Sequence, residues 1–249
     1  MKERDAIRNK VWGDLRRVAR PDSRFHWDFT AFIPDYEGSD LCANTIREMD
    51  LYRQAQTIFV TPDNNLAAFR AYCLADQKAM IVPTYGLGRG FWQITPADAP
   101  PGTEEYASTL DGLERFARPY PVESVRPGDK PTLIVTGASV INDEGVRISA
   151  SPSYFDLEWL ILQALGIVTA DTPIIASVHD CQVVEWPCEP QPYDAVVDWI
   201  VTPSRVIQTG HRYPKPGDHS WEQLPWSVIS EVPLLRNLYQ QKSHRVSAL

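Results

Sequence analysis

A three-layer α/β/α open sheet is predicted by three features of this 249-residue chain. Short apolar runs recur at residues 58–60, 79–82, 133–136, 173–178 and 196–201, each of strand length and rich in Val and Ile. Stretches with helical apolar spacing separate them, and a strand, a helix and a second strand at such spacing favour parallel βαβ units. The runs end in polar or turn residues, as in Thr61-Pro62-Asp63-Asn64-Asn65 and Thr202-Pro203, and open α/β sheets gather their ligands over such carboxyl ends.

The elements follow in order. Ile7, Val11, Leu15 and Val18 form one stripe of an opening helix, which Pro21 closes because it cannot continue the hydrogen-bond ladder. Residues 22–50 are rich in aromatic and turn-forming residues, and a short helix is expected over 43–53. The run 58–60 is a buried strand; Asn64 or Asn65 then caps a helix through Leu66, Phe69 and Leu74, and 79–82 is the next strand. Residues 83–92, with Gly86, Gly88 and Gly90 around Arg89, read as a loop, either a flexible turn or the lining of a pocket for a flat anionic ligand. From 96 to 131 the composition turns to Pro, Gly and charge, with a helix over 110–116, and is read as an insertion or lid. Strand 133–136, helix 154–165, strand 173–178 and strand 196–201 complete the repeat. Trp221, Trp226, Leu234 and Leu235 suit a docked tail as well as a partner surface. One domain over 1–239 and a flexible end over 240–249 are expected.

The net charge of −8 and the lack of a long basic tract argue against a nucleic-acid surface. No apolar run is long enough to cross a bilayer, residues 1–20 alternate charged with apolar residues, and a cytoplasmic protein is expected. Cys42, Cys73, Cys181 and Cys188 form no C-x-x-C pair and are expected as free thiols; no histidine spacing suggests zinc. A monomer is preferred, with a homo-oligomer left open.

Residues 1–26 hold eight Lys or Arg against four Asp or Glu, a locally basic end that suits either a phosphate clamp or a solvated face. Residues 145–156 look like an anion-cradling strand-to-helix loop, with Arg147 and the serines Ser149, Ser151 and Ser153 ahead of a helix whose N-terminal amides favour negative charge. His179 and Cys181, at the end of their strand, share a face while Asp180 does not, so a nucleophilic cysteine is one reading and a buried small residue or pocket liner the other.

Taken in order, these segments resemble the 5-formyltetrahydrofolate cyclo-ligase family, also called methenyltetrahydrofolate synthetase, over most of residues 2–205. The likeness is carried by Arg4, Ile7, Arg8, Val11 and Trp12, by Val60-Thr61-Pro62, Lys78 and Thr136-Gly137-Ala138, and then by Gly145-Val146-Arg147, Tyr154-Phe155-Asp156, Gln182 and Ile200-Val201-Thr202-Pro203. Ser149, Ser151 and Ser153 stand where the family has glycines, Pro152 where many members have a basic residue, and Asn64, beside Asp63, where a carboxylate is common. The resemblance implies the cyclo-ligase fold and closure of the N5-formyl group of 5-formyltetrahydrofolate into the 5,10-methenyl ring, driven by ATP and magnesium. It further implies that Arg4, Arg8, Arg147, Ser149, Ser151, Ser153 and Tyr154 surround the nucleotide and that Asp156 holds magnesium. It implies as well that Asn64, Tyr85, Phe91, Trp92 and Tyr154 border the folate. The remaining readings are ATP-independent transfer or hydrolysis of a folate-like or other small substrate through His179 or Cys181, and a non-catalytic sensor built on the same scaffold.

Overall fold

The computed structural model describes residues 2–123, 125–149 and 152–247. The first part of the chain supplies helices α1 (Lys2–Leu15), α2 (Ser39–Glu48) and α3 (Asp50–Gln54), strand β1 (Thr57–Val60), helix α4 (Ala67–Ala75), and strands β2 (Ala79–Pro83) and β3 (Phe91–Ile94). Two short helices, α5 (Glu104–Ala107) and α6 (Leu110–Phe116), precede β4 (Arg118–Pro119), β5 (Leu133–Gly137) and β6 (Ile141–Asn142). Helix α7 (Tyr154–Ala164) is followed by β7 (Ile174–Ser177), β8 (Val183–Val184), β9 (Trp199–Val201) and β10 (Val206–Gln208), then by α8 (Trp226–Glu231) and α9 (Pro233–Ser247).

Eight strands form one sheet in the order β10-β9-β7-β5-β1-β2-β3-β4, and β6 pairs with β8 in a separate ribbon. The five central strands are parallel; at the edges β10 pairs antiparallel with β9, β3 with β2, and β4 with β3. From β1 the chain builds outward through β2 on one side and then returns through β5 on the other. The gap between the carboxyl ends of β1 and β5 is therefore the topological switch point, where an open sheet leaves a crevice.

The strand side chains divide the core in two, as a period of two requires. Phe59, Ile81, Ile134, Ile174 and Ile200 face the layer of Trp159, Leu160, Leu162 and Leu235. Ile58, Val60, Met80, Val82, Leu133, Val135 and Ile175 face Cys42, Ile46, Phe69 and Leu74. Apolar residues on both faces explain why these runs read as continuous hydrophobic segments. The three-layer α/β/α prediction is met, with helices α7, α8 and α9 on one side and α2 and α4 on the other.

Several boundaries differ from the sequence reading. The helix expected over 43–53 is two helices, and the strand expected over 196–201 begins only at Trp199. Ahead of it, Val197 donates to the Gly145 carbonyl, and a Cβ on Gly145, whose φ is +84°, would sit 2.3 Å from the Val197 oxygen. Segment 194–198 is thus committed to the 145 turn before it can pair. Residues 83–92 are a hairpin: Thr84 donates to the Gly90 carbonyl through both its amide and its hydroxyl, and Gly86 and Gly90 take positive φ. Segment 96–131 contributes β4 to the sheet edge. Trp221 is buried, Trp226 is exposed against Tyr239, and the helical backbone of α9 continues past residue 240, where a flexible end was expected. Among the described residues no helix is long and apolar enough to cross a membrane.

Candidate active site

A cavity of about 690 Å³ opens over the carboxyl ends of β1, β2 and β5, at the switch point. Thr61 to Asn64 follow β1, Thr84 to Gly86 follow β2, and Ala138 and Ser139 follow β5; all face this space. A buried frame fixes the loops. Arg70 donates from Nη1 to the carbonyls of Thr61 and Asp63 and from Nε to that of Ser108, all at 2.8–2.9 Å. On the other flank Gln182 Nε2 donates to the carbonyls of Ala138, at 2.7 Å, and Ser139, at 3.1 Å.

One wall is aromatic. Phe25 stacks on Phe32 at 5.5 Å between centroids and on Tyr85 at 5.7 Å, and Tyr85 lies 6.4 Å from Tyr154. Asn64 anchors this wall, since its amide nitrogen donates to Asp22 at 2.8 Å and its backbone N–H to the Ile33 carbonyl. Such a wall offers a flat ring large contact area at low entropic cost.

The opposite end is cationic. Arg8, on α1, reaches the cavity beside Trp12, its guanidinium 5.0 Å from the Trp12 ring centre, and Trp12 is held by donating to Ser139 Oγ at 2.7 Å. Arg8 Nη2 pairs with Asp5, but its buried Nε has no hydrogen-bond partner. Arg147, Ser149 and Ser153 also line the cavity. Arg147 is 7% exposed, lies over the Phe155 ring at 4.4 Å, and donates from Nη2 to Ser153 Oγ and to Asp156 Oδ1. Ser151 lies outside the described residues.

Two carboxyls share the floor. Asp63 Oδ2 accepts from the Thr61 hydroxyl and from the Gly137 N–H at 2.9 Å, and burial raises its pKa against those bonds and against Arg70 and Arg147. Glu158 is 4% exposed and its Oε2 has no partner. Burial pushes the Glu158 carboxyl well above the usual carboxylate range, Asp63 and Asp156 add to that shift, and Arg147 opposes it. The folded state thus holds this proton more tightly than the unfolded chain does. The contribution of Glu158 to stability is full below about pH 4.5, its ordinary value, and is lost as pH rises. Glu158→Gln, which cannot ionise, is accordingly expected to match the parent near pH 4 and to exceed it at pH 8. Each pH unit between the unfolded and folded titration points costs the parent about 1.4 kcal/mol that the glutamine variant does not lose, so the variant's melting temperature should stand above the parent's by roughly 2–4 °C or more at pH 8. Thermal unfolding at the two pH values checks this; equal shifts at both would contradict it.

The structure brings Arg8, Arg147, Ser149, Ser153, Tyr154, Asn64 and Tyr85 to one cavity, as expected, and places five other candidates elsewhere. Arg4 donates to Cys188 Sγ and to the Glu189 carbonyl, both at 2.8 Å. Phe91 is buried against Phe59, and Trp92 pairs across β3 with Pro119 while packing on Arg89, because this stretch is a strand rather than a pocket loop. His179 and Cys181 do not share a strand face: the strand has ended, and His179 caps a single turn by accepting from the Cys181 N–H at 3.2 Å. Burial pushes the Cys181 thiol up to about 11, which leaves little thiolate at neutral pH.

Asp156 is the further correction. Its Oδ1 accepts from Arg147 and from the Ala195 N–H at 2.9 Å, and its Oδ2 accepts from the Ser153 N–H and hydroxyl, both at 2.7 Å. It is 2% exposed and caps α7 in a reciprocal box with Ser153. With both oxygens engaged inside the fold, it does not fit as a metal ligand. Among the described residues no group of three or more His, Cys, Asp or Glu could hold a metal ion.

The sequence reading left Asp63, Glu158, Phe25 and Phe32 out of the site, along with the far wall from α8, where Val228 and Val232 reach the cavity. For Glu158 a signal was present, a lone acid in the apolar stretch Leu157 to Leu162.

The profile of the 5-formyltetrahydrofolate cyclo-ligase family matches residues 1–203. The methenyltetrahydrofolate synthase domain-containing protein of Homo sapiens is 34% identical over 238 residues, covering 93% of this chain and 60% of that protein. Its Bos taurus counterpart is 33% identical over 242 residues, covering 95% and 62%. The chain thus spans about three-fifths of the length of these relatives. The solved 5,10-methenyltetrahydrofolate synthetase of Aquifex aeolicus shares the fold, with a TM-score of 0.51 at 16% identity over 87% of this chain and 97% of that one.

Proposed function

This chain belongs to the 5-formyltetrahydrofolate cyclo-ligase family, and from that premise we propose that its cavity carries out ATP-driven cyclisation of 5-formyltetrahydrofolate to the 5,10-methenyl form. The observation that carries the reading is the pairing, in one cavity at the switch point, of a cationic end at Arg8 and Arg147 with an aromatic wall at Phe25, Phe32 and Tyr85. A volume of about 690 Å³ matches the size of small-molecule sites.

The chemistry sets what the residues must do. A formyl oxygen is a poor leaving group, so the terminal phosphoryl of ATP is transferred to it; N10 then attacks the formyl carbon and loses its proton, and the carbon–oxygen bond breaks to release phosphate. Such transfers need positioning and charge stabilisation more than covalent help. Arg8, whose Nε is unpartnered, and Arg147 are the phosphate-facing cations, with the hydroxyls of Ser149 and Ser153 beside them. Phe25, Tyr85 and Tyr154 hold the flat ring and exclude water from the activated carbon. Magnesium, when bound, would neutralise phosphate charge; Asp156, with both oxygens engaged inside the fold, is not among the residues that could hold it.

Incubation with 5-formyltetrahydrofolate, ATP and magnesium tests the reading. Absorbance of the methenyl product should rise only when all three are present, and its absence with pure, folded protein would reject the reading.

A further inference from the structure

Glu158 has no work to do inside the fold. It sits in an otherwise apolar part of α7, between Leu157 and Trp159, and a leucine there would pack without the cost of a buried unpaired carboxyl. No nearby cation donates to its Oε2. Arg147 Nη2 is committed to Ser153 and Asp156 and its Nε to the Ala195 carbonyl, while Arg70 serves the carbonyls of Thr61, Asp63 and Ser108. Tyr154, Leu157 and Glu158 follow the i, i+3, i+4 spacing of one helix face, and all three line the cavity. The carboxyl is therefore buried, unpartnered and turned to a space built for a small molecule.

We propose that Glu158 is the recognition group of an inner subsite, pairing through one O–H donor and one carbonyl acceptor with the adjacent C=O and N–H of a planar lactam-type heterocycle. The subsite is stated for any such ring; its use on folate, whose pterin carries a lactam edge, rests on the cyclo-ligase reading above. The charged groups facing Glu158 are Asp63, Asp156 and Arg147; burial first, and then the two acids, favour its neutral form, while Arg147 opposes them. A neutral carboxylic acid presents a donor and an acceptor side by side, which matches the C=O and N–H of a lactam and loses that match when the lactam nitrogen carries a methyl group. The aromatic wall restricts the ligand to a flat ring.

The test uses 6-methylpterin, which has the lactam edge, and 3,6-dimethylpterin, whose lactam N–H is replaced by N–CH3, titrated into the parent protein, Glu158→Gln and Glu158→Leu. Gln keeps one donor and one acceptor, so Glu158→Gln should bind 6-methylpterin within about threefold of the parent, whereas Glu158→Leu should lose about tenfold or more. The N-methylated compound should bind the parent about tenfold more weakly than 6-methylpterin. Undiminished 6-methylpterin binding by a folded Glu158→Leu, a Gln variant as weak as the Leu variant, equal or tighter binding of the N-methylated compound by the parent, or no binding of 6-methylpterin to the parent would each overturn the proposal. Ring-closure activity measured in parallel separates the two readings. Glu158-dependent pterin binding without turnover rejects the cyclo-ligase reading and keeps the subsite; turnover unchanged in Glu158→Leu does the reverse.

Discussion

Asp156→Ala is expected to destabilise the protein by about 3–5 kcal/mol, the range for removing one partner of a buried ion pair. The substitution leaves the Arg147 guanidinium, 7% exposed, without its counter-charge, and takes away four hydrogen bonds in which Asp156 is the acceptor. It also opens the capping box at the start of α7, whose first turns form the cavity wall. Such a loss is a large share of the roughly 5–15 kcal/mol of a typical domain, so urea unfolding should begin at much lower denaturant. Replacing both partners, Arg147→Met with Asp156→Leu, should recover part of it, because no lone charge remains buried. A single Asp156→Ala variant as stable as the parent would show that the pair does not hold the loop.

Arg8→Ala carries the largest expected effect on ligand binding. The side chain is half-buried, its Nε lacks a partner, and its ion pair with Asp5 lies close to the surface. Charge-assisted hydrogen bonds contribute about 1.5–3 kcal/mol, so ATP affinity should fall roughly 10- to 150-fold. Affinity for 5-formyltetrahydrofolate should change little, since the aromatic wall lies elsewhere in the cavity. Stability should fall by no more than about 1 kcal/mol, the usual value of an exposed ion pair. Arg8→Lys should restore charge without the planar fork, and with it only part of the affinity. Calorimetric titration of each ligand into each variant checks this; equal losses for both ligands would point to a disturbed fold rather than a phosphate contact.

The parallel centre of the fold was legible because its strands are buried on both faces, which leaves plain apolar runs at 58–60, 79–82, 133–136 and 174–177. Edges were harder. β3 follows a glycine-rich turn and reads as its continuation, β4 is two residues long, and β10 is partly exposed with no apolar run to mark it. Site residues whose backbone setting is local, such as Arg147, Ser153 and Tyr154 at the head of α7, could be placed from sequence. Direction is what the sequence withheld. Arg4 and Arg8 lie one turn apart on α1, yet Arg8 reaches the cavity while Arg4 turns to Cys188 and Glu189, more than 180 residues away in the chain. Asp156 was assigned to magnesium by the family resemblance alone; its hydrogen bonds to residues 147, 153 and 195 depend on tertiary packing. Glu158 was hidden by the apolar stretch around it, the same feature that makes its burial informative.

Separate calorimetric titrations of the unmodified protein with ATP–magnesium and with 5-formyltetrahydrofolate test the central claim, that one cavity at the β1/β5 switch point receives both ligands. The account predicts saturable binding of each at one site per chain. Binding of neither by folded protein would contradict it, and binding of folate alone would remove ATP from the reaction assigned to this cavity.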